Sequence, residues 1–203
     1  MNTVVTRNGQ VVQDPPLVQK LLSQPLASLI WLPIRIWLGW QWFDAALHKV
    51  TNPAWVSTGE ALKGFWTNAV AIPEAGRPAI TFDWYRTFLQ TMLDAQAYTW
   101  FAKIVAYGEL LIGVALILGA FTGIAAFFGG FMNWNFMMAG SASSNPLLFV
   151  AAVGLILAWK VAGHIGADFF LLRWIGTPWQ WQRPVEPSPL AQLRQVRTEA
   201  AAD

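Results

Sequence analysis

The chain has 203 residues, of which 55% are apolar and only 12% are charged, and its formal net charge is +2 at pH 7. A soluble domain normally carries about 25% charged residues, so this composition favours a membrane protein. The absence of cysteine excludes disulfides, thiolate metal sites and CxxC redox chemistry. The small net charge, without a dense Lys or Arg cluster, argues against a nucleic-acid partner.

The sequence predicts an all-α fold, namely a polytopic membrane four-helix bundle with a long aromatic-rich first loop. We divide the chain into an N-terminal cytoplasmic segment (1–25), a four-span membrane domain (26–176) and a polar C-terminal tail (177–203). Each predicted span is long enough for a hydrocarbon core of about 30 Å. The predicted spans are 26–47, 98–118, 121–140 and 147–172, and the first loop is 49–97.

The first span is interrupted by Arg35 and Asp44 and is followed by the loop. In this loop, Ser57 or Thr58 is a candidate cap for a short helix, and a second helix is predicted from Asp83 to about residue 93. Aromatic residues of the loop are of the types that favour the lipid headgroup region. They are Trp55, Trp66, Trp84 and Tyr85.

The second and third spans are separated only by Gly119 and Ala120, which predicts an antiparallel hairpin. Glycines in this hairpin, among them Gly123 and the Gly129-Gly130 pair, would let the helix backbones approach closely. The fourth span is predicted to run from Leu147 to at least Val161, and an extension to Leu172 would require a kink at Gly163 or Gly166. A short surface helix is predicted in the tail.

Basic residues predict the orientation of the spans, because cytoplasmic segments carry the excess of Lys and Arg. Six lie in the terminal segments and four in the first loop, which favours an inner-membrane protein with both termini in the cytoplasm. The terminal six are Arg7, Lys20, Arg173, Arg183, Arg194 and Arg197, and the loop four are Lys49, Lys63, Arg77 and Arg86.

Ionisable residues within spans are site candidates, because a charge in lipid must pair, reach the interface or face a polar cavity. Arg35 and Glu109 lie at matching depths in antiparallel predicted spans, about 13–14 Å from one side. They are therefore candidates for an intramembrane pair. One interpretation is a buried ion pair that fixes helix packing. The other places Glu109 in a proton path or against a quinone head group.

A second polar group lies at the predicted outer end of the first span. Gln41, Asp44 and His48 are spaced to share one helical face. Asp44 and His48 are candidates for proton exchange, because histidine titrates near neutrality, and a simple interfacial hydrogen bond is the alternative. With two histidines in the chain and no clustered carboxylates, we expect no metal site.

Three more polar residues repeat every four positions near the end of the fourth span: Lys160, His164 and Asp168. This spacing predicts one helical face on which Lys160 extends toward the interface and His164 contacts Asp168.

Four stretches of the chain together resemble the DoxX/DoxD family. The resemblance covers about residues 26–176 and implies a four-helix membrane bundle. It departs from the family where Thr122-Gly123 replaces a position that is often basic and where His164 replaces an arginine. The four stretches are R-I-W-L-G-W-Q-W-F-D-A-A-L-H-K (35–49), F-D-W-Y-R-T-F-L (82–89), Y-G-E-L-L-I-G-V-A-L-I-L-G (107–119) and A-G-H-I-G-A-D-F-F-L-L (162–172).

Members of this family include the small membrane subunit of thiosulfate:quinone oxidoreductase. The resemblance therefore implies a membrane subunit of a quinone-linked oxidoreductase, with quinone as the candidate cofactor. The implied partners are membrane lipid and other subunits of a redox complex. Arg35, Asp44, His48 and Glu109 correspond to positions of the family motifs, and no catalytic role is transferred to them.

Three functions follow from the sequence. In the first, the bundle holds or gates a quinone while a partner oxidises a sulfur compound. The four loop cations could attract thiosulfate. In the second, the chain is a non-catalytic accessory subunit of a larger respiratory or photosynthetic complex. A small-solute or proton carrier is the third and weakest, because the sequence has no evident inverted repeat.

Overall fold

The computed structural model of the chain describes residues 4–5, 11–12 and 14–176. Within these residues the regular secondary structure is helical apart from two short strands, Val4–Val5 (β1) and Val11–Val12 (β2), which pair antiparallel. The predicted tail, with its surface helix, lies outside the described residues. The helices are α1 (Pro16–Ser23), α2 (Ser28–Val50), α3 (Pro53–Val56), α4 (Glu60–Val70), α5 (Asp83–Asp94), α6 (Tyr98–Leu118), α7 (Thr122–Met138), α8 (Asn145–Leu157), α9 (Trp159–Ala162) and α10 (Asp168–Ile175).

Three of the four predicted spans correspond to single helices. Span 98–118 coincides with α6, while spans 26–47 and 121–140 correspond to α2 and α7 with shifted ends. The fourth predicted span is divided among α8, α9 and α10. The helix breaks where Gly163 and Gly166 lie, so this part of the chain is interrupted and not merely kinked.

Helix α6 is the one described helix that is by itself long and apolar enough to cross a bilayer, with 21 residues and a mean hydropathy of 2.0. Helices α1 and α2 meet the same criteria only as a pair joined through a bend of 66°. Helices α7 and α8 are shorter, at 17 and 13 residues. Length and composition therefore support one crossing, or two with the bent pair, and four spans remain a prediction.

Glycines set the register of the antiparallel helices α2 and α6. A methyl group built on Gly113 would lie 2.6 Å from the backbone nitrogen of Phe43, and one built on Gly39 would lie 2.9 Å from that of Ile117. A side chain at either position would push the two backbones apart. The resulting register is offset, so that about the first third of α6 extends beyond the end of α2.

Helices α7 and α8 complete the main bundle, again through glycine contacts. A methyl group on Gly129 would lie 3.0 Å from Trp42 Nε1, and one on Gly130 would lie 3.4 Å from Ala152 Cβ. These glycines face α2 and α8, whereas the sequence predicted that they would bring the two helices of the hairpin together. Buried apolar residues of α2, α6, α7, α8 and α9 form one core, which includes Trp31, Leu38, Trp42, Ile112, Leu116, Ala126, Leu155 and Val161.

The first loop folds into α3, α4 and α5, of which α3 and α4 pack against α6 and α5 packs against α4. Helix α4 begins after Gly59, whose φ of 76° is left-handed, and the Thr58 hydroxyl accepts from the Glu60 N–H over 3.3 Å. The second predicted loop helix appears as α5, with nearly the predicted bounds. A second core lies beneath these helices and includes Leu62, Trp66, Ile80, Tyr85, Leu89 and Tyr98.

Two of the loop aromatics predicted to face the headgroups are instead core residues. Trp66 and Tyr85 are buried, whereas Trp84 is exposed. Tyr85 Oη lies 3.1 Å from both the backbone and the side-chain oxygen of Asn135 in α7. Burial raises the pKa of the Tyr85 hydroxyl to about 12. The loop is thus a packed cap on one end of the bundle.

Large apolar side chains are exposed on the outer faces of the four longest helices. They surround the bundle at the levels where α2, α6, α7 and α8 pack together. We call this surface the apolar belt and define it by Ile36, Trp37, Trp40, Ile104, Leu111, Leu118, Ile124, Phe127, Phe128, Phe131, Val150, Val153 and Leu157.

Candidate functional site

The buried carboxylate of Glu109 is paired with Lys49. Lys49 Nζ donates to Glu109 Oε2 over 2.6 Å. The side chain of Glu109, in the middle of α6, is 1% exposed, and that of Lys49, in the last turn of α2, is 20% exposed. Lys49 Nζ also lies 5.3 Å from the centre of the Trp55 ring, within cation–π range. The pair therefore ties the end of α2 and the start of the loop to the centre of α6.

The structure does not form the predicted pair between Arg35 and Glu109. That prediction placed the start of the first span level with the end of the antiparallel second span, whereas the glycine contacts of α2 and α6 impose the offset register. Arg35 consequently lies against Gly119, about 15 Å along the α6 axis from Glu109. Lys49, which the sequence analysis counted among the cations of the first loop, reaches Glu109 instead.

Arg35 enters a buried site at the break between α9 and α10. Its Nη2 donates to the carbonyl oxygen of Ile165 over 2.8 Å, and Asp168 supplies a nearby negative charge. Its Nε and Nη1 are buried without a hydrogen-bond partner among the described residues. Gly119 and Gly166 make room for the guanidinium, since a methyl group on either would overlap it or press on it. Arg35 thus connects the first long helix to the last described segment.

The carboxylate of Asp168 caps helix α7 from a distant part of the chain. Its oxygens accept from the backbone N–H groups of Phe121 and Thr122, which have no acceptor within the helix. In return, the Asp168 N–H donates over 2.7 Å to the Gly119 carbonyl at the end of α6. The turn between α6 and α7 is therefore held at both ends by the start of α10.

The predicted face of Lys160, His164 and Asp168 does not form. Helix α9 ends at Ala162, and residues 163–167 are turns and bends, so a spacing of four no longer places side chains above one another. The ring of His164 packs edge-on against that of Phe169, with centres 5.3 Å apart. Asp168 is directed to α7 instead.

Asp44 and His48 lie together on the outer face of α2. His48 Nε2 is 4.0 Å from Asp44 Oδ2, and their side chains are 82% and 58% exposed, respectively. The sequence placed them at the outer end of a span. The structure instead puts the adjacent Phe43 beside Gly113, within the levels that the apolar belt surrounds. A role in proton exchange stays a prediction.

A cavity of about 420 Å³ lies between α7 and the last helices. Its walls are almost entirely apolar. Several of the side chains that line it, among them Ile124 and Phe127, are also exposed members of the apolar belt, so the cavity opens onto that belt. Its polar side chains are Thr122 and Asp168. Thr122 Oγ1 is buried and has no hydrogen-bond partner in the described part of the chain. Six apolar residues that form the wall are Phe121, Ile124, Phe127, Trp159, Leu172 and Ile175.

Three of the four cations assigned to the first loop are engaged within the chain. Lys49 pairs with Glu109, Lys63 Nζ lies 3.2 Å from Glu60, and Arg86 Nη1 lies 2.6 Å from Asp83. Arg86 Nη2 also donates to the Ile80 carbonyl over 2.6 Å. Pairing reduces the field that these cations present to a free anion. Attraction of thiosulfate by the loop therefore gains little support from the geometry.

Sequence reasoning missed three residues: Lys49 as the partner of Glu109, Asp168 as the cap of α7, and Thr122 as the polar wall of the cavity. The glycine spacing in α2 and α6 contained the signal for Lys49, because it fixes the register. Gly163 and Gly166 contained the signal for Asp168, because they mark a break in the helix just before it. A methyl group on Gly163 would overlap the Asp168 carboxylate.

Comparison of the chain with protein-family models, with curated proteins and with solved structures found no match in any of the three. Within the described residues, no group of three or more His, Asp or Glu side chains could hold a metal ion. The geometry of the chain itself defines the candidate site, which consists of the Lys49–Glu109 pair, the Arg35–Asp168 centre and the cavity beside Thr122.

Proposed function

We propose that the chain is a multi-pass inner-membrane protein in which α2, α6, α7 and the α8–α10 segment cross the bilayer and both termini lie in the cytoplasm. The apolar belt supports this, because a large apolar surface on the outside of a bundle suits lipid and is rare on a soluble monomer. The burial of Glu109 and Arg35 supports it as well. Charges within a membrane protein face the interior of the bundle and find partners there.

Within the membrane we propose that the chain is a subunit of a quinone-linked oxidoreductase, as the resemblance to the DoxX/DoxD family implies. The cavity beside Thr122 is the observation that carries this proposal. A quinone has an apolar ring and tail with carbonyl acceptors, and this cavity offers apolar walls together with one unpartnered buried hydroxyl. It also opens onto the apolar belt, the surface from which a lipid-soluble ligand would enter.

The residues around the cavity would have different roles in binding a quinone. The Thr122 hydroxyl is buried, so a rotation of this side chain would bring it to a carbonyl oxygen, and Phe121 and Trp159 would contact the ring. Asp168 accepts from the Thr122 N–H over 2.9 Å and so fixes this residue in position. Reduction of a bound quinone would take two electrons from an oxidisable sulfur compound held by a partner subunit and two protons from water at the membrane surface. The Asp168 oxygens already accept from backbone N–H groups, so its role is positioning.

Photoaffinity labelling tests quinone binding directly. An azido-quinone is added to membrane vesicles that contain the chain, and the labelled peptide is identified by mass spectrometry with and without excess decylubiquinone. We expect competed labelling within α7 or α10, a several-fold loss in Thr122→Val and retention in Thr122→Ser. Thr67→Val, on the exposed side of α4, is the matched control. Equal competed labelling in Thr122→Val and the wild type would exclude this cavity.

Co-purification tests the assignment to an oxidoreductase. The tagged chain is extracted in mild detergent, its partners are identified by mass spectrometry, and thiosulfate-dependent quinone reduction is assayed. A redox partner that purifies with activity supports the proposal. Purification with a large complex that is inactive toward thiosulfate supports the second candidate function.

The second candidate is a non-catalytic accessory subunit of a larger respiratory or photosynthetic complex. The observation in its favour is that Glu109, Arg35 and Asp168 each have a contact that joins helices of this chain. Thr122→Val, in the wall of the proposed quinone cavity, separates the two functions. Unchanged turnover in an intact complex favours the accessory role, whereas lost turnover with intact assembly excludes it.

A further inference from the structure

The outer face of α2 has a polar break in an apolar surface. We define this face, the α2 outer face, by Trp37, Trp40, Asp44, Leu47 and His48, all of which are exposed. Trp37 and Trp40 resemble the rest of the apolar belt. Asp44 and His48 do not, because they place a carboxylate and an imidazole on the same surface, one helical turn apart.

The depth of this polar break follows from helix contacts. Phe43 lies beside Gly113 of α6, and the neighbouring Trp42 lies beside Gly129 of α7. At this level the other helices present large apolar side chains outward, with Leu111 71% exposed and Phe128 52% exposed. Asp44 is therefore level with residues that would face lipid. This step rests on the proposed membrane location.

An ionised carboxylate that faces hydrocarbon is costly unless another group covers it. His48 of the same chain covers it incompletely, because the separation of 4.0 Å exceeds a hydrogen bond. In the described part of the chain no other hydrogen bond is made by either side chain. Both therefore retain hydrogen-bonding capacity, the carboxylate as an acceptor and the imidazole as a donor.

We propose that a second copy of this chain covers the α2 outer face, forming a two-fold dimer about an axis along the membrane normal. A two-fold contact requires a self-complementary surface, and an acceptor with a donor one turn away meets this requirement. Side chains of a helix lean toward its N-terminus, so His48 of the partner subunit would reach down toward Asp44, and the reverse contact would form by symmetry. Trp37 and Trp40 would supply the apolar part of the interface.

Cysteine cross-linking tests the geometry, and the natural chain has no cysteine to interfere. Leu47→Cys and Trp40→Cys lie on the α2 outer face, and Phe131→Cys is a control at a similar level on α7. In membrane vesicles treated with a short bis-maleimide, we expect dimers from the α2 variants and several-fold fewer from the control. Equal yields, or adducts mainly with a different protein, would overturn the proposal.

Side-chain swaps test the chemistry of the contact. Asp44→Asn and His48→Phe should each weaken the dimer, and each broken interhelical hydrogen bond should raise the dissociation constant about threefold to twentyfold. The double swap Asp44→His with His48→Asp should restore association, which is measured by energy transfer between labelled copies in diluted liposomes. Dimerisation unaffected by either single substitution would overturn the assigned contact.

These measurements require no quinone or sulfur compound, so they separate this inference from the proposed redox role. Failure of the chain to sediment with membranes would remove both. A membrane-embedded chain that labels with azido-quinone but does not dimerise would remove only the dimer.

Discussion

Buried charged residues in this chain connect helices that are distant in sequence. Glu109 binds Lys49 across α6 and α2, and Arg35 binds the carbonyl of Ile165. Sequence reasoning identified Glu109 and Arg35 as the important buried charges, because charges within apolar runs are conspicuous. It assigned the wrong partners to them. The partner of a buried charge depends on the register between two helices, and the pattern of apolar residues along each helix does not determine that register.

The Lys49–Glu109 pair should stabilise the fold mainly by preventing an isolated buried charge. Replacing Glu109 with Gln, or Lys49 with Met, removes one partner and should each cost about 3 kcal/mol of unfolding free energy. The double variant should lose much less than the sum, because neither charge is then left unpaired. Unfolding by SDS titration in mixed micelles measures these values, and additive losses would show that the two residues do not interact.

Tyr85 should make the stability of the loop cap depend on alkaline pH. The pKa of its hydroxyl is about 12 in the folded chain, above the value of about 10 expected when unfolded. A raised folded pKa gives stability that is complete below the unfolded pKa and is lost as the pH rises through the folded one. We therefore expect the melting temperature of the wild type to fall between about pH 10 and pH 12.

Tyr85→Phe should lose this part of the pH dependence, as measured by circular dichroism across the same interval. Tyr107→Phe, on the exposed side of α6, is the control and should keep the alkaline decrease. An unchanged profile in Tyr85→Phe would assign the decrease to other groups.

At the scale of elements, glycine contacts decide how the helices fit together. Helix α6 was predicted with its observed bounds because a 21-residue apolar run ends at Gly119, whose φ of 68° closes the helix. The fourth span was predicted as one helix with a kink, whereas the structure divides it among α8, α9 and α10. Its break is stabilised by the contacts of Ile165 with Arg35 and of Asp168 with the turn between α6 and α7. These partners lie outside the segment, so local sequence could only locate Gly163 and Gly166.

Two glycines of α6 provide a matched test of helix packing. Gly113→Ala would press on the backbone of Phe43 and should cost about 2–3 kcal/mol by separating α2 from α6. Gly108→Ala meets only Met132 Sδ, at 3.9 Å, and should gain about 0.5–1 kcal/mol from its helix propensity. Unfolding by SDS titration compares them, and equal effects would argue against the register described here.

At the scale of the whole molecule, the fold has a bundle surrounded by the apolar belt and a cap made by the first loop. The all-helical class and most helix positions were predictable, because apolar periodicity and length carry that information. The offset of α2 against α6 was not, and neither was the cavity beside Thr122. Both arise from contacts among helices that are far apart in the sequence.

The proposed four-span topology predicts which surfaces are accessible from each side. Gly76→Cys, in the first loop, and Ser143→Cys, between α7 and α8, should react with a membrane-impermeant maleimide added to intact spheroplasts. Trp174→Cys, in α10, should react only after permeabilisation, because it lies on the opposite side. Labelling of all three from outside, or protection of Ser143→Cys alone, would contradict four crossings.

The hydrogen bond from Arg35 to Ile165 spans 130 positions of the sequence. During synthesis at about 5–20 residues per second, the guanidinium emerges roughly 10 s before its acceptor exists. Until then, the nascent first helix holds a cation that the rest of the chain cannot yet satisfy, and it depends on the insertion machinery or on water at the membrane surface. Messages truncated before residue 165 would yield helices with this cation exposed, and we expect membrane quality-control proteases to remove them faster than the full-length product.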